Sequence, residues 1–194
     1  MHKNRLEAFS DGVIAILITI MILELKLPAG HELADLKPLT APILAYVMSF
    51  IYLGIYWNNH HHLMQAVKQV NGKILWANSH LLFWLSLVPI GTLWMGESHF
   101  SVTPTAIYGG LLLGAAVAYY ILARSLVKHH GDESPIARAL GADFKGKVSI
   151  AIYVAAIGLA FLNAYIAVGL YAAVAVMWLV PDTRIEKILA GHSD

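Results

Sequence analysis

The feature that most constrains this chain is a series of apolar runs close to twenty residues long, each ended by charge, proline or glycine. A helix needs roughly 20 apolar residues to cross a hydrocarbon core, and in lipid every backbone N–H and C=O must be satisfied within the segment, so such runs are read as membrane helices. Six windows fit: Leu6–Leu27, Thr40–Met64, Ile74–Met95, Thr105–Val127, Val148–Asn163 and Ala164–Val180. The last two are short and adjoin at Asn163, which reads as the break of a helical hairpin; a five-span chain is the alternative. Composition agrees, since 194 residues with 58% apolar, 13% charged and a mean hydropathy of +0.64 are too apolar for an ordinary soluble domain.

The expected fold is therefore all-α and integral to the membrane, one unit over residues 1–194 with the lipid bilayer as solvent. The net charge of +1 is spread over scattered basic residues, which gives no surface for nucleic acid. There is no cysteine, so neither disulfides nor thiolate metal sites are available.

Six spans put Lys3, Arg5, Lys68, Lys73, Arg124, Lys128, Arg138, Lys145, Lys147, Arg184 and Lys187 on one side, against Lys26 and Lys37 on the other. That asymmetry predicts both termini in the cytoplasm. No small-residue cleavage site follows Leu27, and Ser10 and Asp11 interrupt the apolar region, so the first run reads as a span rather than a cleaved leader. The connection from Lys128 to Lys147 carries Gly131, Asp132, Glu133, Ser134 and Pro135 before an amphipathic stretch, and reads as a loop with an interfacial helix.

The first span carries the chemistry. A charge within a membrane helix is costly unless it faces protein or water, so Asp11 needs a partner. Residues placed 100° apart put Ile16, Ile20, Leu23 and Leu27 on one stripe with Thr19 on its edge, and Ser10 and Asp11 on roughly the opposite side. Periodicity alone leaves open whether that stripe faces lipid, a neighbouring helix or a pore.

The segment Arg5-Leu6-Glu7-Ala8-Phe9-Ser10-Asp11, an R-x-x-x-F-S-D motif followed by an aliphatic run, resembles the signature of the transmembrane-protein-175 family of potassium channels. Trp57-x-x-His60, Asn78 and the Val88-Pro89 pair extend the likeness over the first half of the chain. The resemblance implies a bacterial form: six-span subunits assembling as a homotetramer in the plasma (inner) membrane, with the first helices around the pore. By position it makes Ile16 the constriction, with Thr19, Ile20 and Leu23 as further pore-lining positions. It also implies a structural network of Arg5, Phe9, Ser10, Asp11, Trp57, His60 and Asn78.

A filter of the T-V-G-Y-G type, in which backbone carbonyls replace an ion's hydration shell, is missing; Val168-Gly169-Leu170-Tyr171 lies in a helical run and lacks the second glycine. Selectivity would then rest on side chains and dehydration, predicting a modestly selective potassium-permeable pore with a hydrophobic gate. Glu24 lies at the expected outer mouth, where carboxylates concentrate cations, although a solvated interfacial role fits it as well.

Other patterns are weaker. Asn58-Asn59-His60-His61-His62 invites a metal reading, but adjacent histidines point in different directions and ligands on one helix face need spacings of three or four. Gly110-x-x-x-Gly114 permits close helix contact. No nucleophile or complete ligand set supports an enzyme, and no cofactor is expected beyond permeant potassium. The competing function is a proton-coupled secondary transporter with Asp11 as the titrating group.

Overall fold

The computed structural model describes residues 3–67, 69–141 and 143–179. Lys68, Arg184 and Lys187 of the orientation argument, and Val180 at the assigned end of the last span, lie outside the described residues. The helices are α1 (Asn4–Leu23), a 3₁₀ turn (Leu33–Leu39), α2 (Thr40–Gln65), α3 (Gly72–Ser86), α4 (Val88–Glu97), α5 (Val102–His130), α6 (Pro135–Leu140), α7 (Phe144–Ala160) and α8 (Ala164–Leu179).

Among the described residues, four helical segments are long and apolar enough to cross a membrane: Asn4–Leu23, Leu33–Gln65, Gly72–Glu97 and Val102–His130; Ala164–Leu179 is a shorter apolar helix. The first helix stops at Leu23, four residues before the last residue of its apolar window, and the chain then leaves the helix towards Pro28. The third apolar window is interrupted at Leu87, between α3 and α4. Pro89 has no N–H to offer the carbonyl four residues back and its ring crowds that carbonyl, which accounts for a local defect at this point. The turn at 161–163 separates α7 from α8, and Asn163 Oδ1 accepts from Tyr165 N at 2.9 Å there.

The long helix α5 organises the bundle, packing on α3, α4, α7 and α8. Its inward positions, Leu112, Ala115, Ala118 and Leu122, are fully buried. Small residues bring helices close where association depends on van der Waals contact rather than on expulsion of water. A Cβ on Gly96 would lie 2.8 Å from Pro42 Cα, so α4 crosses α2 backbone to backbone. A Cβ on Gly114 would run into the Trp84 ring, which fits the α3–α5 contact only because Gly114 has no side chain.

Buried hydroxyls join the other side of the bundle. Thr92 Oγ1 donates to Val88 O and approaches Ser49 Oγ at 2.6 Å, and Ser49 Oγ lies 2.8 Å from Tyr108 Oη. Tyr52 Oη donates to Tyr171 O at 2.6 Å and accepts from Tyr153 Oη at 3.2 Å. Helix α1 stands at the edge of this bundle, against α2, α3 and α4, and leaves one long face outside it.

Candidate functional site: the two faces of the first helix

Leu6, Ser10, Ile14, Leu17 and Met21 of α1 are buried, at the spacing of one helical face. On the other side Ile16 is 57% exposed, Ile20 40% and Leu23 79%, and Thr19 is exposed between them. The aliphatic stripe thus points out of the bundle, carrying one hydroxyl. Thr19 Oγ1 donates back to its own helix, at 3.1 Å from Ala15 O and 3.0 Å from Ile16 O. With the hydrogen so placed, the oxygen lone pairs are left to face outward, where they can accept from water or meet a cation. Glu24, exposed, caps the C-terminal end of α1. Two residues on, Lys26 pairs with Glu97 at 3.0 Å, linking that end to α4.

The inner face is held by a buried polar contact across three helices. Asn78 Nδ2 of α3 donates to Ser10 Oγ at 2.9 Å, and the Ser10 hydroxyl donates to Leu6 O at 2.9 Å. Asn78 Oδ1 lies 2.7 Å from His60 Nε2 of α2, so in this amide orientation Nε2 carries the hydrogen. Ser10, His60 and Asn78 are all fully buried.

The other residues of the expected network stand apart from it. Phe9 and Trp57 are 59% and 46% exposed, and Arg5 is exposed. Asp11 is half-buried; its Oδ1 is covered by protein yet accepts from none of Arg5, Trp57, His60 or Asn78. Asp11 acts on His60 electrostatically and not through an ion pair. The hydrogen-bonded centre of the motif is Ser10.

Sequence reasoning passed over a second tie at the same end. Glu7 Oε1 of α1 lies 2.9 Å from His61 Nδ1 of α2, and Gln65 Nε2 lies 2.7 Å from His61 Nε2. Lys3 Nζ donates to Met64 O at 2.7 Å, placing a cation at the C-terminal end of α2, where the helix dipole favours one. The signal was available: Glu7 precedes Ser10 by three residues and Ile14 by seven, on the face that packs inward. Among the described residues no cluster of three or more His, Asp or Glu could hold a metal.

The family model described as "Endosomal/lysosomal potassium channel TMEM175" matches residues 5–89, which include both ties. A potassium channel of Chryseobacterium sp. (strain P1-3) is 57% identical over 97% of this chain and 98% of its own length. A potassium channel of Streptomyces collinus is 33% identical, with 84% of each chain covered. The crystal structure of a lysosomal potassium-selective channel TMEM175 homolog from Chamaesiphon minutus superposes with a TM-score of 0.79 at 27% identity, covering 92% of this chain and 96% of that one. Apolar helices and these likenesses together define a multi-pass membrane protein of the ion-channel class, not an enzyme. The chain belongs to the TMEM175 family of potassium channels.

Proposed function

We propose that the chain is a six-span subunit, a single channel unit over its whole length, and that four identical subunits place α1 around a central potassium-permeable pore. Both termini lie in the cytoplasm and the membrane is a bacterial inner membrane. The observation that supports this reading is the outward stripe of α1, where Ile16, Ile20 and Leu23 are 57%, 40% and 79% exposed while the opposite face of the same helix is buried. Four copies of such a stripe make a narrow aliphatic tube that dewets when tight and passes partly dehydrated cations when wider.

Selectivity in such a tube is modest, because a helix commits its carbonyls to its own hydrogen bonds and leaves none for an ion. Potassium is favoured over sodium through its lower dehydration cost, and the Thr19 hydroxyls supply coordinating oxygens beside the aliphatic rings. Glu24 at the far end concentrates cations at the mouth. The buried contact of Ser10, Asn78 and His60, with Asp11 beside it, holds α1 against α2 and α3 and so sets the tube's radius.

The test is planar-bilayer recording of purified protein under a potassium gradient, wild type against Ile16→Asn, which is close in volume but wettable. Unitary currents that grow or lose selectivity in the variant support the gate at Ile16. A potassium-to-sodium permeability ratio in the hundreds rejects modest selectivity, and saturable pH-driven uptake without unitary currents, abolished at Asp11, assigns the chain to transport by a carrier.

A further inference from the structure

The Glu7–His61 pair is placed where a proton can act on the pore helix. Among the described residues it is the carboxylate–imidazole pair that joins α1 directly to α2, one residue along α2 from His60 and three residues along α1 from Ser10 of the fully buried Ser10–Asn78–His60 contact. The side chains of His61 and Glu7 are 38% and 19% exposed, so water reaches the imidazole while protein shields the carboxylate. An imidazole changes charge near neutral pH, unlike the carboxylate and amide it contacts here.

Both ring nitrogens are engaged in a way that serves either charge state. In the neutral ring Nδ1–H donates to Glu7 Oε1 at 2.9 Å and Nε2 accepts from the Gln65 amide at 2.7 Å. In the cation Nε2 becomes a donor, and rotation of the Gln65 amide brings its carbonyl oxygen to that position. Protonation then turns a hydrogen bond from a neutral ring to the Glu7 carboxylate into a hydrogen-bonded ion pair. The Trp57 indole lies nearly parallel to the imidazole, at 18° and 6.3 Å between centroids.

The remaining ionisable groups here do not compete for the pair. Lys3 is bound to the backbone of Met64, and His62 lies beside His61 with its own Nδ1 buried and without a partner. His60 is hydrogen-bonded to Asn78, and Asp11 and Glu7 both act on it electrostatically. Arg5 on α1 and Lys73 in the first turn of α3 are exposed.

We propose that Glu7 and His61 are positioning residues of the channel, a proton-dependent latch that tightens α1 against α2 when the side bearing the N-terminus is acidified. The proposal rests on α1 lining the pore. An ion pair of this exposure contributes little, so the expected change in open probability on acidifying that side is about two- to fivefold.

The experiment steps pH on each side of the bilayer separately, for wild type, Glu7→Gln, His61→Gln and the double variant. The expected result is a wild-type response to acid on the N-terminal side only, flattened equally by each single variant and no further by both. A response that persists in either single variant, or one driven from the opposite side, overturns the latch. Nitrogen NMR of histidine-labelled protein in bilayers reads the pair without conduction. His61 ring signals that move with Glu7→Gln uphold the pair even if no current is seen and the pore reading falls, whereas unchanged signals overturn it.

Discussion

Asn78 Nδ2 donates to Ser10 Oγ at 2.9 Å while the same amide's Oδ1 meets His60 Nε2 at 2.7 Å, so one side chain on α3 binds α1 and α2 together. The side chains that make both contacts are fully buried, out of reach of bulk solvent. Replacing Asn78 by Leu keeps much of the volume and strands the His60 Nε2–H. The expected loss is about 1–3 kcal/mol, the cost of an unsatisfied buried polar group, measured as a lower unfolding midpoint in detergent. An unchanged midpoint would show that the contact does not hold α1.

Gly110 and Gly114 share a spacing but not a surroundings. A Cβ at Gly110 meets nothing within 4 Å, whereas one at Gly114 collides with the Trp84 ring. Gly110→Ala is therefore expected to leave stability within about 0.5 kcal/mol, and Gly114→Val to cost at least 1–3 kcal/mol through overpacking of α3 against α5. Thermal melts of the two variants side by side decide this, and equal effects would refute the assignment of Gly114 to the Trp84 contact.

Asp143 begins α7 with a left-handed backbone, φ 45° and ψ 50°, and its Oδ1 accepts from Gly146 N at 3.2 Å. Burial raises its carboxyl above the ordinary carboxylate value, partly offset by the Gly146 hydrogen bond and by Lys147 and Arg124. The folded state thus binds the proton more tightly than the unfolded chain, and stability falls as pH rises from the ordinary carboxylate value through the raised one. Asn caps a helix as well as Asp and tolerates the left-handed region. Asp143→Asn should remove that pH slope without losing the cap, while Asp143→Ala should lose about 1 kcal/mol. Unfolding midpoints across the acidic range measure both, and an Asn variant with the wild-type slope would assign it to another group.

Much of this protein was legible in one dimension because lipid imposes rules that act on the chain locally. The apolar runs, the break at Asn163 and the two-faced pattern of α1 follow from span length and from the 100° step of a helix. Ile16, Ile20 and Leu23, with Thr19 on the edge of their stripe, belong to this group, whereas Leu27, which the same spacing placed on the stripe, lies beyond the end of α1. The R-x-x-x-F-S-D motif carried the family, which the likeness to the Chryseobacterium channel establishes over nearly the whole chain.

Tertiary structure decided which polar groups meet. A helical wheel places Ser10 and Asp11 on adjoining positions and cannot tell which of them reaches Asn78; the crossing of α1 over α3 selects Ser10 and leaves Asp11 Oδ1 without a donor. The Glu7–His61 contact spans 54 residues of sequence, and Tyr52 reaches Tyr171 O across 119. Such pairings depend on the angle and register at which whole helices pack, which are set by all their side chains together. The same holds for Gly114, whose spacing from Gly110 suggested a helix–helix motif and whose neighbour is the ring of Trp84. Local sequence determines what each helix presents, and packing determines what it is presented to.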